Sequence, residues 1–365
     1  MPTKLASIRR ERTARARSSD SHKSGWKNVQ STRRVAKKTK LAIIVFSLIF
    51  GLLILAQVVK FTKALYNPWG ESKLQRSFTW QGDFNINLVI RAKDISLLEF
   101  NPQDQKITII HLPDSIYLEA THGFGNWMLS SIYDLGQTQK NIGGGNLLKA
   151  SISALFGLPI DGFLDFSNQY GQKSGVQIIN EVREDFVAGF AQAYNVKTDL
   201  TPLELFKLKL GLASVRFDKV QRIDLGKLGV SNEENLADGT TVSIVDPMQL
   251  DATLSNLTDP IIQSEHKTIA LFNATDHPQL AQKWARLITN LGADVIITTN
   301  SQEKLQKTVV VGEKSRTLDR LKQIFEPACS TGKNEGGCGK INTKLEDISS
   351  RAQINIFLGE DLSSL

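Results

Sequence analysis

Leu41 to Val59 reads LAIIVFSLIFGLLILAQVV, nineteen residues without a single charge. As a helix rising 1.5 Å per residue it would run about 28 Å, close to the ~30 Å hydrocarbon core of a bilayer. Lys37, Lys38 and Lys40 bound it on one side, and Lys60 and Lys63 on the other. The run is apolar on every side, so it predicts a membrane-spanning helix rather than one face of a soluble core. A cleaved signal peptide is the competing reading. Against it, the run starts forty residues in, exceeds a signal h-region, and no small-x-small cleavage site follows.

Charge orients this span. Residues 1–40 carry 13 Lys/Arg against Glu11 and Asp20, a net of +11, so the overall +7 leaves the other 325 residues at −4. The basic excess on the N-terminal side places residues 1–40 in the cytoplasm and residues 60–365 outside. The tail can lie on anionic headgroups. With the basic charge confined to it, a nucleic-acid-binding surface is not expected of the protein. Outside the membrane, Cys329 and Cys338 would meet an oxidising space. They read as a disulfide closing the Gly-rich loop ACSTGKNEGGCGK, with free thiols or a partial metal site as open alternatives.

The outer part reads as α/β. Residues 60–83 suggest a stalk, with Trp69 and Trp80 placed for a membrane interface. Asn85–Ile90, Ile95–Phe100 and Lys106–Leu112 are short apolar runs bounded by turns, the pattern of an antiparallel meander. Gly143–Gly145 leads into a helix over Asn146–Phe156 that stops at Gly157 and Pro159. Gly162–Phe166 reads as a strand. Thr201 and Pro202 are N-cap and first residue of a helix over Thr201–Leu212. These elements define a domain over residues 84–230. Residues 231–265 are polar and turn-rich, a linker with a little structure. Beyond them, Thr268–Phe272, Gln279–Leu291, Asp294–Thr298, Thr308–Val311, Thr317–Phe325 and Gln353–Leu358 read β-α-β-β-α-β. That is a small split α/β domain over residues 266–362.

Chemistry-bearing motifs are few. The five histidines, His22, His111, His122, His266 and His277, keep no metal-ligand spacing. No Gly-x-Ser-x-Gly elbow occurs. Gly143–Gly145 could cradle a phosphate at a helix N-terminus, but the P-loop Lys-Ser/Thr is missing, and a plain turn is the simpler reading. Asp161 and Asp165 lie four apart on a strand-like stretch. Arg91 and Asp94 bracket a turn between strands, where salt-linked surface residues are the simplest expectation. Asn256-Leu-Thr and Asn273-Ala-Thr match the glycosylation sequon.

Taken in order, the basic N-terminus, the single anchor, KITIIHLPDSIYLEA and IGGGNLLKASISALFGLPIDGFLDFS resemble the LytR-CpsA-Psr family. Gly157-Leu-Pro-Ile-Asp161 and Phe163-Leu-Asp-Phe166 carry most of the likeness. The second unit, with Leu271-Phe-Asn-Ala-Thr275 and Leu358-Gly-Glu-Asp361, is similar to the LytR-type C-terminal domain often appended to that family. The resemblance covers roughly residues 84–230 and 266–362. It implies a bacterial plasma-membrane protein facing the cell wall, with polyprenyl-linked glycans, peptidoglycan or envelope proteins as partners. It also implies the family's reaction, transfer of a glycan phosphate from polyprenyl pyrophosphate to peptidoglycan, with arginines and Mg²⁺ on the pyrophosphate.

This chain departs from that pattern. The family's Pro-Arg-Asp is Pro113-Asp114-Ser115, and its arginine-rich block finds only Arg183 beside acidic neighbours. The surviving candidates are Arg91, Asp94 and Arg183, with Asp94 as the candidate metal ligand. Losing even one cationic donor costs a few kcal/mol of transition-state stabilisation. The expectation is therefore a diverged binding or scaffold protein, with the transferase as alternative. Clustering of Arg91, Asp94, Asp114 and Arg183 about one apolar groove would separate the two.

Overall fold

The computed structural model describes residues 46–60, 78–139, 141–170, 172–184, 196–325 and 350–363. Two compact units divide the chain, Met1–Ala64 and Leu65–Leu365. In the first, residues 46–60 form helix α1, with every side chain exposed. Among the described residues no helix is long and apolar enough to cross a membrane. Residues 41–45 of the expected span lie outside the described residues, as do Cys329 and Cys338.

The second unit begins with a meander of β1 (Ile86–Arg91), β2 (Ile95–Asn101) and β3 (Lys106–Leu112). There follow a hairpin of β4 (Tyr117–Ala120) and β5 (Gly125–Met128), then helices α2 (Leu129–Thr138) and α3 (Gly144–Phe156). Next come β6 (Gly162–Asp165), α4 (Ser167–Tyr170), α5 (Gly175–Glu184), β7 (Lys197–Thr198), α6 (Pro202–Ser214) and β8 (Val220–Asp224). The main sheet has the order β7-β6-β1-β2-β3-β8. In it β1 runs parallel to β6, and β3 parallel to β8.

This sheet is buried on both faces, which is why its central strands are nearly continuous in apolar residues. Val89, Leu97 and Ile110 face α2 and α3 (Leu129, Ile132, Leu147, Leu148, Ile152). Leu88, Leu98 and Ile109 face α5 and α6 (Ile178, Ile179, Leu208, Leu212). Trp80 belongs to this second core and not to a membrane interface. Its indole N–H donates to the Phe84 carbonyl and its ring meets Phe100 edge-on. The stalk reading therefore fails at its C-terminal end.

Local signals act as their chemistry dictates. Thr201 caps α6: its hydroxyl accepts from the Glu204 N–H while the Glu204 carboxylate accepts from the Thr201 N–H, a full capping box. The glycines that open α3 serve packing. A Cβ on Gly144 would lie 2.4 Å from the Tyr133 carbonyl, and one on Gly145 2.4 Å from the Phe163 ring.

Residues 231–265 are folded, which corrects the linker reading. β9 (Ser231–Asn235) and β10 (Thr241–Val245) pair as a hairpin, followed by α7 (Pro247–Thr253) and α8 (Pro260–Glu265). Val230, Val245, Leu250 and Leu257 enter the α2–α3 core. The layer buries one side only, so its apolar residues are sparse and the segment reads as polar.

The last part holds β11 (Thr268–Asn273), α9 (Leu280–Asn290), β12 (Asp294–Asn300), β13 (Val309–Gly312), α10 (Arg316–Phe325) and β14 (Ile354–Leu358). Its sheet order is β12-β11-β14-β13, with β11 parallel to both neighbours. Leu280, Leu287 and Ile288 of α9 and Leu318 and Leu321 of α10 cover one face.

Two polar clamps fix this part to the first domain. Arg286 of α9 forks onto Asp251 at 2.7 and 2.8 Å and donates to the Ala154 and Leu155 carbonyls. Asn290 donates to the Phe156 carbonyl. Together they take up the free carbonyls at the C-terminus of α3. Gly157, in left-handed conformation at that cap (φ +57°), lets Asn290 approach; a Cβ there would lie 2.8 Å from its amide nitrogen. In the second clamp Arg320 of α10, 1% exposed, donates to both Asp161 carboxylate oxygens at 3.0 and 3.2 Å and to the Asn85 carbonyl.

Candidate functional site

Because β1, β3, β6 and β8 run in one direction, their carboxyl ends share one edge of the main sheet. Crevices at such an edge are where open α/β sheets bind ligands. Reading across, the edge carries Asp165 of β6, Arg91 of β1, Asp94 in the β1–β2 turn, His111 of β3 and Asp224 of β8. Arg91 lies opposite Asp165 in register, and His111 opposite Asp224.

Arg91 is the centre of this row. Its Nη1 donates to both Asp165 oxygens (3.4 and 3.3 Å) and to Ser167 Oγ (2.8 Å), and its Nη2 to Asp134 (3.4 Å). The guanidinium lies 4.1 Å above the Tyr133 ring. Burial, and then the Asp165 charge beside it, push the Tyr133 phenol up to about 12, so it stays neutral. Asp165 is itself 4% exposed. Arg91 is thus held by two carboxylates, a hydroxyl and a ring.

Asp94 engages the other layer. Its carboxylate accepts the Gly175 N–H at the start of α5 (2.8 Å) and lies 3.1 Å from His111 Nδ1. Arg91 lies over α2, whereas Asp94 lies against α5, so the turn that brackets them sends the two side chains to opposite sides of the sheet. Arg183 is elsewhere: its Nε and Nη2 donate to the Leu212 and Val215 carbonyls at the C-terminus of α6. Asp114 is exposed after β3. The four residues are not gathered about one apolar groove.

The two aspartates four apart, Asp161 just before β6 and Asp165 at its end, part company as well. Asp165 joins Arg91, and Asp161, at the opposite end of the strand, joins Arg320. Sequence reasoning missed Asp134, Asp165, Ser167, Tyr133 and Asp224 as members of the row. Only the Asp165 half of Asp161/Asp165 gave any signal. Among the described residues no group of three or more His, Cys, Asp or Glu could hold a metal ion. Asp94, with one histidine and one amide for company, does not make a Mg²⁺ site by itself.

Two cavities lie away from this edge. One of about 180 Å³ lies between α3, α7 and α9, lined by Phe156, Leu158, Leu250, Asp251, Leu254 and Asn290 among others. The other, about 270 Å³, lies in the last part of the chain, lined by Asn273, Gln279, Ala281, Gln282, Thr298, Thr299 and Asn300.

Comparison with known proteins gives a family for part of the chain. No curated protein matches. Solved structures with similar arrangements include a transcriptional regulator of Enterococcus faecalis (15% identity, 48% of this chain and 85% of that one, TM-score 0.37). TagT of Bacillus subtilis matches at 14% identity, over 53% of this chain and 97% of that one, with a TM-score of 0.36. A further structure, described as a LytR-CPS2A-psr family protein, YwtF (TagT), with bound octaprenyl pyrophosphate lipid, matches at 13% identity over 52% and 96%, TM-score 0.35. The family model described as LytR cell envelope-related transcriptional attenuator matches residues 267–361, which span β11 to β14. Residues 267–361 are thus a LytR-type C-terminal domain, joined to a larger mixed α/β domain.

Proposed function

We propose that this is a bacterial cell-envelope protein, anchored by residues 41–59 with residues 60–365 outside the membrane. In this reading its first domain serves as a binding or scaffold module in cell-wall glycopolymer assembly. The cell-envelope description of the family matched by residues 267–361 supports the setting, together with the motifs of residues 84–230.

One observation carries the choice of binding module over transferase: Arg91, the one arginine along the sheet edge among the described residues, is already neutralised. Arg91 is shared between Asp165 and Asp134, His111 faces Asp94, and Lys227 sits 3.1 Å from Asp224. Arg183 is spent on α6 carbonyls. A pyrophosphate and its transition state need uncommitted positive charge, supplied by arginine forks or a metal. The described residues place four carboxylates along this edge against one arginine, with Lys93, Lys197 and Lys227 as point charges that cannot make an arginine's two-pronged grip. The same edge can take a neutral or cationic polar partner without that conflict.

The alternative is a phosphotransferase attaching polyprenyl-pyrophosphate-linked glycopolymers to peptidoglycan, acting through Arg91 and Asp94. It draws on the position of Arg91 at the carboxyl ends of parallel strands. Binding of octaprenyl pyrophosphate to the full chain in detergent micelles, with and without Mg²⁺, separates the two. The scaffold reading expects neither saturable binding nor release of a polyprenyl product. Mg²⁺-dependent binding and turnover, both lost in Arg91→Gln and in Asp94→Asn with the thermal midpoint kept, would establish the transferase instead.

A further inference from the structure

The 270 Å³ cavity of the LytR-type domain lies where β11 and β12, parallel neighbours, both end and the chain turns into α9. The crevice thus opens at the carboxyl ends of two parallel strands joined to each other through α9. Its lining is chemically uniform: apart from Ala281, every residue is an amide or a hydroxyl, namely Asn273, Gln279, Gln282, Thr298, Thr299 and Asn300. No charged side chain lines it.

The polar groups around it divide into two sets. The set behind the crevice is consumed internally. Asn273, 4% exposed, accepts from the Thr275 N–H and hydroxyl and donates to the His277 carbonyl. Those bonds, and that burial, close the Asn273 sequon to a glycan chain. Lys304 pairs with Asp276, and His277 with Glu360. By contrast, the side chains of Gln279, Gln282, Thr298, Thr299 and Asn300 are exposed and make no hydrogen bond among the described residues. Gln279 itself holds a left-handed conformation (φ +62°) at the head of α9, and no side chain caps that helix. The first-turn N–H groups of an uncapped helix are donors without an intrahelical partner.

We propose that this crevice binds a neutral saccharide. Three amides and the Thr298 hydroxyl gather there with both donor and acceptor capacity, as a polyhydroxylated ligand requires. The helix N-terminus adds donors for one acceptor oxygen, while the missing lysine or arginine argues against a phosphate. At about 270 Å³ the space falls just below the usual ~300–1,000 Å³ for ligand pockets, room for one or two sugar rings. β12 is an edge strand, so the crevice is open along one side and a longer glycan can leave it. The proposal does not rest on the reading of the Arg91 row.

The test uses the full chain in detergent micelles. Calorimetric titration is run with N-acetylchitotriose, with maltotriose and with inorganic phosphate. We expect saturable binding of a saccharide, none of phosphate, and a loss of at least about tenfold in affinity in Gln282→Ala/Asn300→Ala. A second pair, Gln279→Ala/Thr298→Val, keeps the test open should the first fail to fold. Both pairs should leave the thermal midpoint in place. Absence of saturable saccharide binding, preference for phosphate, or saccharide binding that survives the folded double variants would each overturn the proposal.

Discussion

Glu99 is the residue whose replacement tests the packing of this protein most sharply. It lies on β2, in register with Asn87 on one side and Thr108 on the other, so a polar row crosses three central strands. It is 5% exposed. Burial, set against Thr108, Lys106 and Asn85 and reinforced by the charge of Asp259, raises its pKa from 4.5 to about 7. Burial also raises Asp259, against the pull of Arg320. A folded-state pKa above the unfolded value means that the native protein holds its proton more tightly. The associated stability is fully present below pH 4.5 and is lost as pH rises to about 7. Between 4.5 and about 7 the loss is on the order of 3 kcal/mol, at ~1.4 kcal/mol per pH unit. Glu99→Gln keeps the shape and the hydrogen bond from Asn85 Nδ2 (3.2 Å) but cannot ionise. The variant should therefore match the parent near pH 4.5 and exceed it by up to ~3 kcal/mol at pH 8. Urea unfolding of parent and variant, followed by tryptophan fluorescence at each pH, measures the difference and cancels titrations common to both. A difference that stays flat from pH 4.5 to 8, or that favours the parent at high pH, would refute the reasoning.

Three further outcomes are expected. Arg320→Met leaves Asp161 buried without its cation and should cost roughly 3–5 kcal/mol, whereas Arg320→Met combined with Asp161→Asn should recover part of the loss; thermal unfolding of the single and double variants reads this. Gly157→Ala places a methyl 2.8 Å from Asn290 Nδ2 on a left-handed backbone, and should destabilise by at least ~1 kcal/mol with faster hydrogen exchange at the C-terminus of α3. Arg183→Gln uncaps the Leu212 and Val215 carbonyls and should lower stability by about 1–2 kcal/mol. It should leave any ligand binding at the Arg91 row unchanged, which a titration alongside the parent would show.

The comparison of sequence and structure turns on distance along the chain. Thr201-Pro202 opens α6, Gly157 closes α3, and the apolar runs from residue 86 to 112 form the meander. Each is a local statement of cap, turn or period, and each follows from a handful of neighbouring residues. The C-terminal domain has the element order β-α-β-β-α-β for the same reason. What the sequence by itself determined is therefore the bounds and apolar faces of those elements whose cap, turn or period is written in neighbouring residues.

Tertiary structure alone decided which charges meet. Arg91 finds Asp165, and Asp161 finds Arg320 159 positions away, because the β1–β6 register and the docking of α10 set those pairs. No spacing in the chain encodes them. Residues 231–265 read as polar because a one-sided layer needs few apolar residues, so only packing shows that they are folded. Arg183, chosen for its charge, is turned to α6 by the free carbonyls at a helix end. A side chain's type is local, but the partner that fixes its chemistry is delivered by strand order and domain contact.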